Sequence, residues 1–387
     1  MGKWIVKLLA FTVTCLLVLE LMFRFVFPAC ELPASVQIPG GFLVSDAGYQ
    51  QSGDFTLGRV PTEGYHWNIN NDGWNSIFTY EPIEERIRPL IALIGDSSVE
   101  GHWCNVEDHI DSWLHRLLEG SFDVYAFGRG GMPLAQMMVL VETVDSLYRP
   151  DLFVIMLGHE VINGSLVPDL TIEYHYIVPV PALGTFLVMQ PSDREPSPFA
   201  RTAMRSATVR YVSLHLQVDL FPLMNVFGKP INLNAGLNES RVHELLPMAA
   251  RFMLNRISEA VGERRLLVVV DNWMDRHTLY GNEDVSFVVR KIIINDMKAL
   301  TDACSDFRNI DYLGTDDAFR QAWDSTENSF DAADGRHLNS YGNYVTAAAI
   351  RRQLSESGAF SEVLSKWASG NPPSIAPQED HTESPES

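Results

Sequence analysis

Short, continuous apolar runs alternate along the chain with longer stretches in which apolar residues recur at helical spacing. Pro89–Ile94, Phe122–Phe127, Asp151–Leu157, Arg265–Asp271 and Asn309–Leu313 read as five strands. Val106–Leu118, Leu134–Leu147, Arg241–Val261, Val285–Ala303 and Ser340–Leu354 read as the helices between and after them. Strands that are apolar on both faces and joined by helices predict a parallel sheet covered on both sides. The expected fold is therefore α/β: a three-layer α/β/α, flavodoxin-like sandwich around a five-stranded parallel sheet. Ligands of such sheets bind beyond the C-terminal ends of the strands.

Outside this alternation the chain divides into distinct parts. Residues 31–88 are rich in Gly, Pro and Asn and read as an irregular lead-in packed on the core domain, residues 89–365. Within that domain, about 161–240 is the least regular part and reads as an insertion, with a helix-like piece around Arg201–Val218. Residues 366–387 read as a disordered acidic tail. There is no internal repeat.

The first thirty residues form a separate unit. Lys3 and Lys7 precede a mostly apolar run from Leu8 to Phe27, and about 20 such residues cross a bilayer as a helix. Glu20 and Arg24 interrupt the run at i,i+4 spacing, so they can pair. The basic leading end predicts an N-in anchor with the remaining chain extracytoplasmic. A cleaved signal peptide, and hence a secreted protein, is the competing reading. Against it, Ala29 suits the position before a cut at Cys30, but Phe27 is bulky where a small residue is wanted.

Charge narrows the partners. Forty-nine acidic residues against 29 basic ones give a formal charge of −20, which repels phosphate backbones and argues against nucleic acid. The four cysteines, Cys15, Cys30, Cys104 and Cys304, form neither a CxxC nor a zinc pattern. Cys104–Cys304 is one candidate bridge, and free thiols are the alternative. His175, His215 and His243 are scattered without metal-ligand spacing, so neither metal nor cofactor is expected.

Two short stretches carry chemistry. "LIALIGDSSVEGHWC", Leu90 to Cys104, is a strand, a turn at Gly95 and a helix start. A serine there meets free N–H groups and the positive end of the helix dipole, which suit a nucleophile whose acyl carbonyl becomes an oxyanion. "DAADGRHLNSYGN", Asp331 to Asn343, places Asp334 and His337 three apart before the last core helix. A carboxylate at that spacing can fix the imidazole tautomer and stabilise its charged form. Ser97, Asp334 and His337 thus make a candidate nucleophile, orienter and base. Each stretch alone also reads as an ordinary capped helix start. The GxSxG elbow of α/β-hydrolases is absent.

"GDSSVEG" and "DGRHLNSYG" resemble the first and last conserved blocks of the SGNH, or GDSL, hydrolases, and "NINNDGWNS" with "VEDHIDSWLHRLLEG" is similar to a membrane-anchored bacterial subgroup. The resemblance spans about Tyr65 to Leu364. It implies a serine esterase acting through an acyl-enzyme, with Ser97 rather than Ser98 as nucleophile. It also implies an oxyanion hole from the N–H groups of Ser97 and Gly131, with Gly128 and Gly130 as neighbours, and a third donor after strand three. There the chain departs from the family: "LGHEVING" puts His159 where Asn is usual and Glu160 where Asp is usual, with Asn163 one turn later. An imidazole N–H can donate to an oxyanion, so His159 is the candidate donor. The implied substrate is an acylated small molecule or glycan outside the cytoplasm. An O-acyltransferase using the same site, and a non-catalytic glycan-binding or assembly module, are the alternatives.

Overall fold

All five strands form close to their expected bounds: β1 Leu90–Gly95, β2 Asp123–Gly128, β3 Leu152–Leu157, β4 Arg265–Val270 and β5 Ile310–Gly314. In this computed structural model, the described residues are 2–27, 35–38, 42–45, 52–56, 64–158, 161–167, 174–189, 203, 205–212, 237–271, 273–281 and 287–369. The strands make one parallel sheet of order β5-β4-β3-β1-β2. Sequence order reverses between β1 and β3, so the crevice where open α/β sheets bind ligands lies beside the end of β1.

Alternate residues of each strand enter opposite cores, as a period of two requires. Leu90, Ala92, Ile94, Phe153, Ile155, Leu157, Leu266 and Val268 face one layer. Ile91, Leu93, Leu152, Val154, Met156, Leu267 and Val269 face the other. The first layer holds the helices Leu134–Tyr148, Glu239–Val261 and Phe287–Cys304, and the second holds Ile110–Leu117, Ser340–Glu356 and Ala359–Ala368. Full burial of each of the Val, Leu, Ile, Met and Phe side chains contributes about 1.5–3 kcal/mol.

Several details depart from the reading by periodicity. The expected helix Val106–Leu118 is broken: a 3-10 turn, Val106–Asp108, is followed by extended His109 and then by the α-helix Ile110–Leu117. The buried His109 ring occupies the space where a Gly101 side chain would be, 2.0 Å from an added Cβ. Burial pushes the pKa of this histidine down to about 4. The helices Trp273–Leu279 and Asp316–Thr326 are additional to those read from periodicity, although Phe319, Ala322 and Trp323 of the second recur at helical spacing. The helix Ala359–Ala368 runs three residues beyond the expected end of the core at 365.

The described parts of the lead-in include two antiparallel hairpins, Ser35–Ile38 with Phe42–Ser45 and Ser52–Thr56 with Gly64–Asn68. Trp67, Ile69, Trp74 and Tyr80 are buried against the core. The Tyr80 hydroxyl donates to the Ala126 carbonyl at 2.6 Å and accepts from its N–H at 2.9 Å, fixing the lead-in to β2. Between 161 and 240 the described residues form a helix, Val161–Leu166, a hairpin, Tyr176–Val180 with Thr185–Met189, and a helical turn, Ala207–Arg210. Residues 370–387, most of the expected tail, lie outside the described residues, as does His215.

The N-terminal helix Gly2–Phe25 is long and apolar enough to cross a membrane. Its Glu20 and Arg24 pair at 2.8 Å. Glu20 also accepts from the Ser206 hydroxyl at 2.7 Å and from the N–H groups of Ala207 and Thr208 at 2.9 and 3.1 Å. Cys104 and Cys304 are both buried free thiols, so the candidate bridge between them is not formed. Each thiol pKa is pushed up to about 12, chiefly by burial.

Candidate active site

Gly95 closes β1 where a side chain would strike Val99 at 2.5 Å, and the chain turns directly into the helix Ser97–Glu100. Asp96 caps that helix, its Oδ1 accepting from the Ser98 N–H at 2.9 Å. The carbonyl of Asp96 takes the N–H groups of Val99 and Glu100 at 3.1 and 2.9 Å. Among the described residues the Ser97 N–H has no acceptor. Ser98 spends its amide on the cap, and Ser97 is the one whose hydroxyl meets an imidazole.

That imidazole is His337. Its Nε2 lies 2.8 Å from Ser97 Oγ, joining positions 240 residues apart. Its Nδ1 lies 2.5 Å from Asp334 Oδ2. Asp334 Oδ1 accepts from the backbone N–H groups of Arg336 and His337, each at 3.1 Å. Burial opposes ionisation of Asp334, but the His337 ring and these two N–H groups outweigh it and hold the pKa down to about 2. A carboxylate that stays ionised accepts from Nδ1–H, leaving Nε2 as the acceptor facing Ser97.

The loop carrying Asp334 and His337 is held from behind. Buried Arg276 donates from Nε to Asp331 Oδ1 at 2.8 Å and from Nη2 to the Arg336 carbonyl at 2.8 Å, and it also pairs with Asp271 at the end of β4. His277 Nε2 is 2.6 Å from the Gly335 carbonyl. An isolated Asp331–Leu338 bridge closes the loop.

The turn after β2 supplies backbone amides. The Arg129 N–H donates to the Gly95 carbonyl at 3.1 Å, and the Met132 N–H to the Arg129 carbonyl at 3.1 Å. The Gly130 N–H donates to Glu100 Oε2 at 2.5 Å. That leaves the Gly131 N–H, at φ +72°, without an acceptor among the described residues. Gly128 packs closely against the Ser97 helix, where an added Cβ would be 2.1 Å from the Glu100 nitrogen. Gly131 is thus distinguished from Gly130, whose amide is taken by Glu100. Gly158, after β3, lies against Asp96, with an added Cβ 2.6 Å from Asp96 Oδ2. His159 and Glu160 follow it but lie outside the described residues. Asn163 falls on the helix Val161–Leu166, where its N–H donates to Asp296 at 3.2 Å.

No family model matches the sequence, and no curated protein matches it. Solved structures do. A Clostridium thermocellum family 3 carbohydrate esterase aligns at 12% identity and TM-score 0.37, over 71% of this chain and 99% of that one. A carbohydrate acetylesterase family member from Sinorhizobium meliloti aligns at 13% and 0.32, over 69% and 97%. A salicylyl-acyltransferase from a tetracycline biosynthetic pathway aligns at 10% and 0.37, over 71% and 56%. At these identities and TM-scores the likenesses carry no argument about this chain's activity or substrate.

Two groups of site residues escaped the sequence reading. The lead-in asparagines clasp the Ser97 helix: Asn75 Oδ1 accepts from the Asn68 N–H at 3.0 Å, and Asn75 Nδ2 donates to the Glu100 carbonyl at 3.0 Å. Glu100 itself is buried, contacting His102 at 3.0 Å and Arg129 at 3.2 Å. Its place inside the "GDSSVEG" block was visible, but only the turn after β2 discloses its partners. His175, buried, contacts Gln136 at 2.7 Å, and His243 contacts Asn295. Among the described residues no three His, Cys, Asp or Glu side chains gather as a metal site.

Proposed function

We propose that this protein is a serine esterase that cleaves carboxylic O-acyl or O-acetyl esters through an acyl-enzyme. The observation that carries this reading is the hydrogen-bonded series Ser97–His337–Asp334 beside the two amides, Ser97 and Gly131, that have no acceptor among the described residues. His337 takes the Ser97 proton as Oγ attacks the ester carbonyl, and Asp334 stabilises the imidazolium. The Ser97 and Gly131 N–H groups receive the oxyanion, with His159 as third donor. His337 then returns the proton to the departing alcohol. Water, activated by the same imidazole, releases the acid and restores Ser97.

The substrate class is an acylated glycan or other envelope ester. Transfer of the acyl group to a sugar hydroxyl in place of water would make the same site an acyltransferase. The N-terminal helix serves as an uncleaved anchor with the catalytic domain extracytoplasmic. The bonds from Glu20 to Ser206, Ala207 and Thr208 support retention, since cleavage would remove their acceptor.

A fluorophosphonate probe tests the central claim. Labelling of the wild type but not of Ser97→Ala is the expected result. Folded wild type that resists the probe would instead favour a binding module.

A further inference from the structure

A second acid–imidazole pair stands beside the first. Gly101, at φ +81°, ends the Ser97 helix and turns the chain back, so that His102 lies over the site. The His102 ring centre is 5.4 Å from that of His337 and 5.7 Å from that of Trp67. On another side it covers the Gly130 turn, where an added Cβ would lie 3.3 Å from the ring. Its Nε2 is 3.0 Å from Oε2 of Glu100.

Glu100 is only 7% exposed in its side chain, and all its bonds come from donors: His102, Arg129 and the Gly130 N–H. Burial opposes its ionisation, but the Arg129 charge, His102 and the Gly130 amide prevail and hold its pKa down to about 2. An ionised carboxylate accepts a proton-bearing nitrogen, so the neutral ring has its proton on Nε2 and a lone pair on Nδ1. No group among the described residues donates to that Nδ1, and the side chain is 25% exposed. The protein thus spends a buried carboxylate on orienting an acceptor next to its base.

We propose that His102 is a substrate-binding residue whose Nδ1 accepts a hydrogen bond from a free hydroxyl on the carbon next to the one bearing the ester. The inference rests on the esterase reading and deepens it. His337 addresses the ester's alkoxy oxygen, and hydrogen bonds of about 2.8 Å from two rings this close reach oxygens on neighbouring carbons. The preferred substrates are then partial esters of sugars and other vicinal polyols, not esters of simple alcohols. Specificity arises because a substrate lacking the hydroxyl leaves Nδ1 without a partner.

The test uses the full chain and two esters, the monoacetate of a ring 1,2-diol and the same compound with its free hydroxyl methylated. Wild type is expected to favour the diol ester about tenfold in kcat/KM, the worth of one hydrogen bond. His102→Ala is expected to reduce that ratio to near one, and His102→Gln, which keeps an acceptor, to restore part of it. Because the ratio is taken within each variant, a change in folded fraction cancels. A wild type with no preference, or a preference unchanged in His102→Ala, overturns this inference alone. No turnover by folded wild type, or turnover that survives Ser97→Ala, overturns the esterase reading and this inference with it.

Discussion

Asp334 holds His337 twice: Oδ2 meets the ring Nδ1 at 2.5 Å, and Oδ1 receives the backbone N–H of the same residue at 3.1 Å. The second bond sets where the ring stands and the first sets which nitrogen carries the proton. Asp334→Asn keeps the shape but offers an amide where a carboxylate is needed, which favours the wrong tautomer. Ester hydrolysis is expected to fall about 10³–10⁴-fold, and thermal stability at neutral pH to fall as well, because the amide forgoes the stabilisation that the depressed carboxyl pKa carries. Steady-state kinetics on an aryl ester alongside a melting curve checks both halves.

Acid should remove part of the stability through this residue and Glu100. Both carboxylates titrate near pH 2 in the folded protein, against ordinary values of 3.8 and 4.5. A depressed carboxyl pKa contributes stability that is complete above the unfolded value and disappears as pH falls through the folded one. Wild type should therefore lose stability between about pH 4.5 and pH 2. The slope should be shallower in Asp334→Asn and in Glu100→Gln, read from urea midpoints at several pH values. An unchanged slope in both variants would contradict the assignment.

Asp111 works in the opposite direction. It is buried, Oδ2 accepts from the Ser76 hydroxyl at 3.1 Å, and Oδ1 has no partner. Burial drives its pKa up to about 7. A raised carboxyl pKa favours the folded state fully below the unfolded value near 3.8, and the benefit is lost as pH rises through 7. Asp111→Asn is neutral throughout, so it should gain stability relative to wild type at pH 8 compared with pH 5. Equal differences at the two pH values would show that Asp111 does not titrate in this window.

Arg276 is the support of the His337 loop. Its removal in Arg276→Leu leaves Asp271 and Asp331 buried without their cation, and such losses cost about 3–5 kcal/mol. Activity should fall further than the folded fraction alone explains, because the Arg336 carbonyl also loses its donor. Denaturant unfolding and kinetics on the same preparation separate the two effects.

Gly128→Ala tests the close approach of β2 to the Ser97 helix. The new methyl would lie 2.1 Å from the Glu100 nitrogen, against backbone that has no side chain to move aside. Destabilisation of about 3 kcal/mol is expected, with Ser97 displaced from His337. Fluorophosphonate labelling of the folded variant reports the displacement.

Much of this protein is determined by the chain itself. Continuous apolar runs such as "LIALIG" and "LFVIML" are strands because a strand buried on both faces needs apolar residues at every position. Ser97, Asp334 and His337 were legible because each falls where an element starts or a loop closes, and local chemistry marks those places. What only tertiary structure decided is who meets whom between remote segments. Gly131 differs from Gly130 because Glu100 takes one amide and leaves the other. His102 differs from an ordinary surface histidine because a buried carboxylate holds it beside His337. Arg276 is structural because its two carboxylate partners lie at the end of β4 and in the loop before His337. Hydrophobic periodicity reports how each element faces the core, but it holds no record of which polar groups the packed elements bring within three ångströms, about the reach of a hydrogen bond.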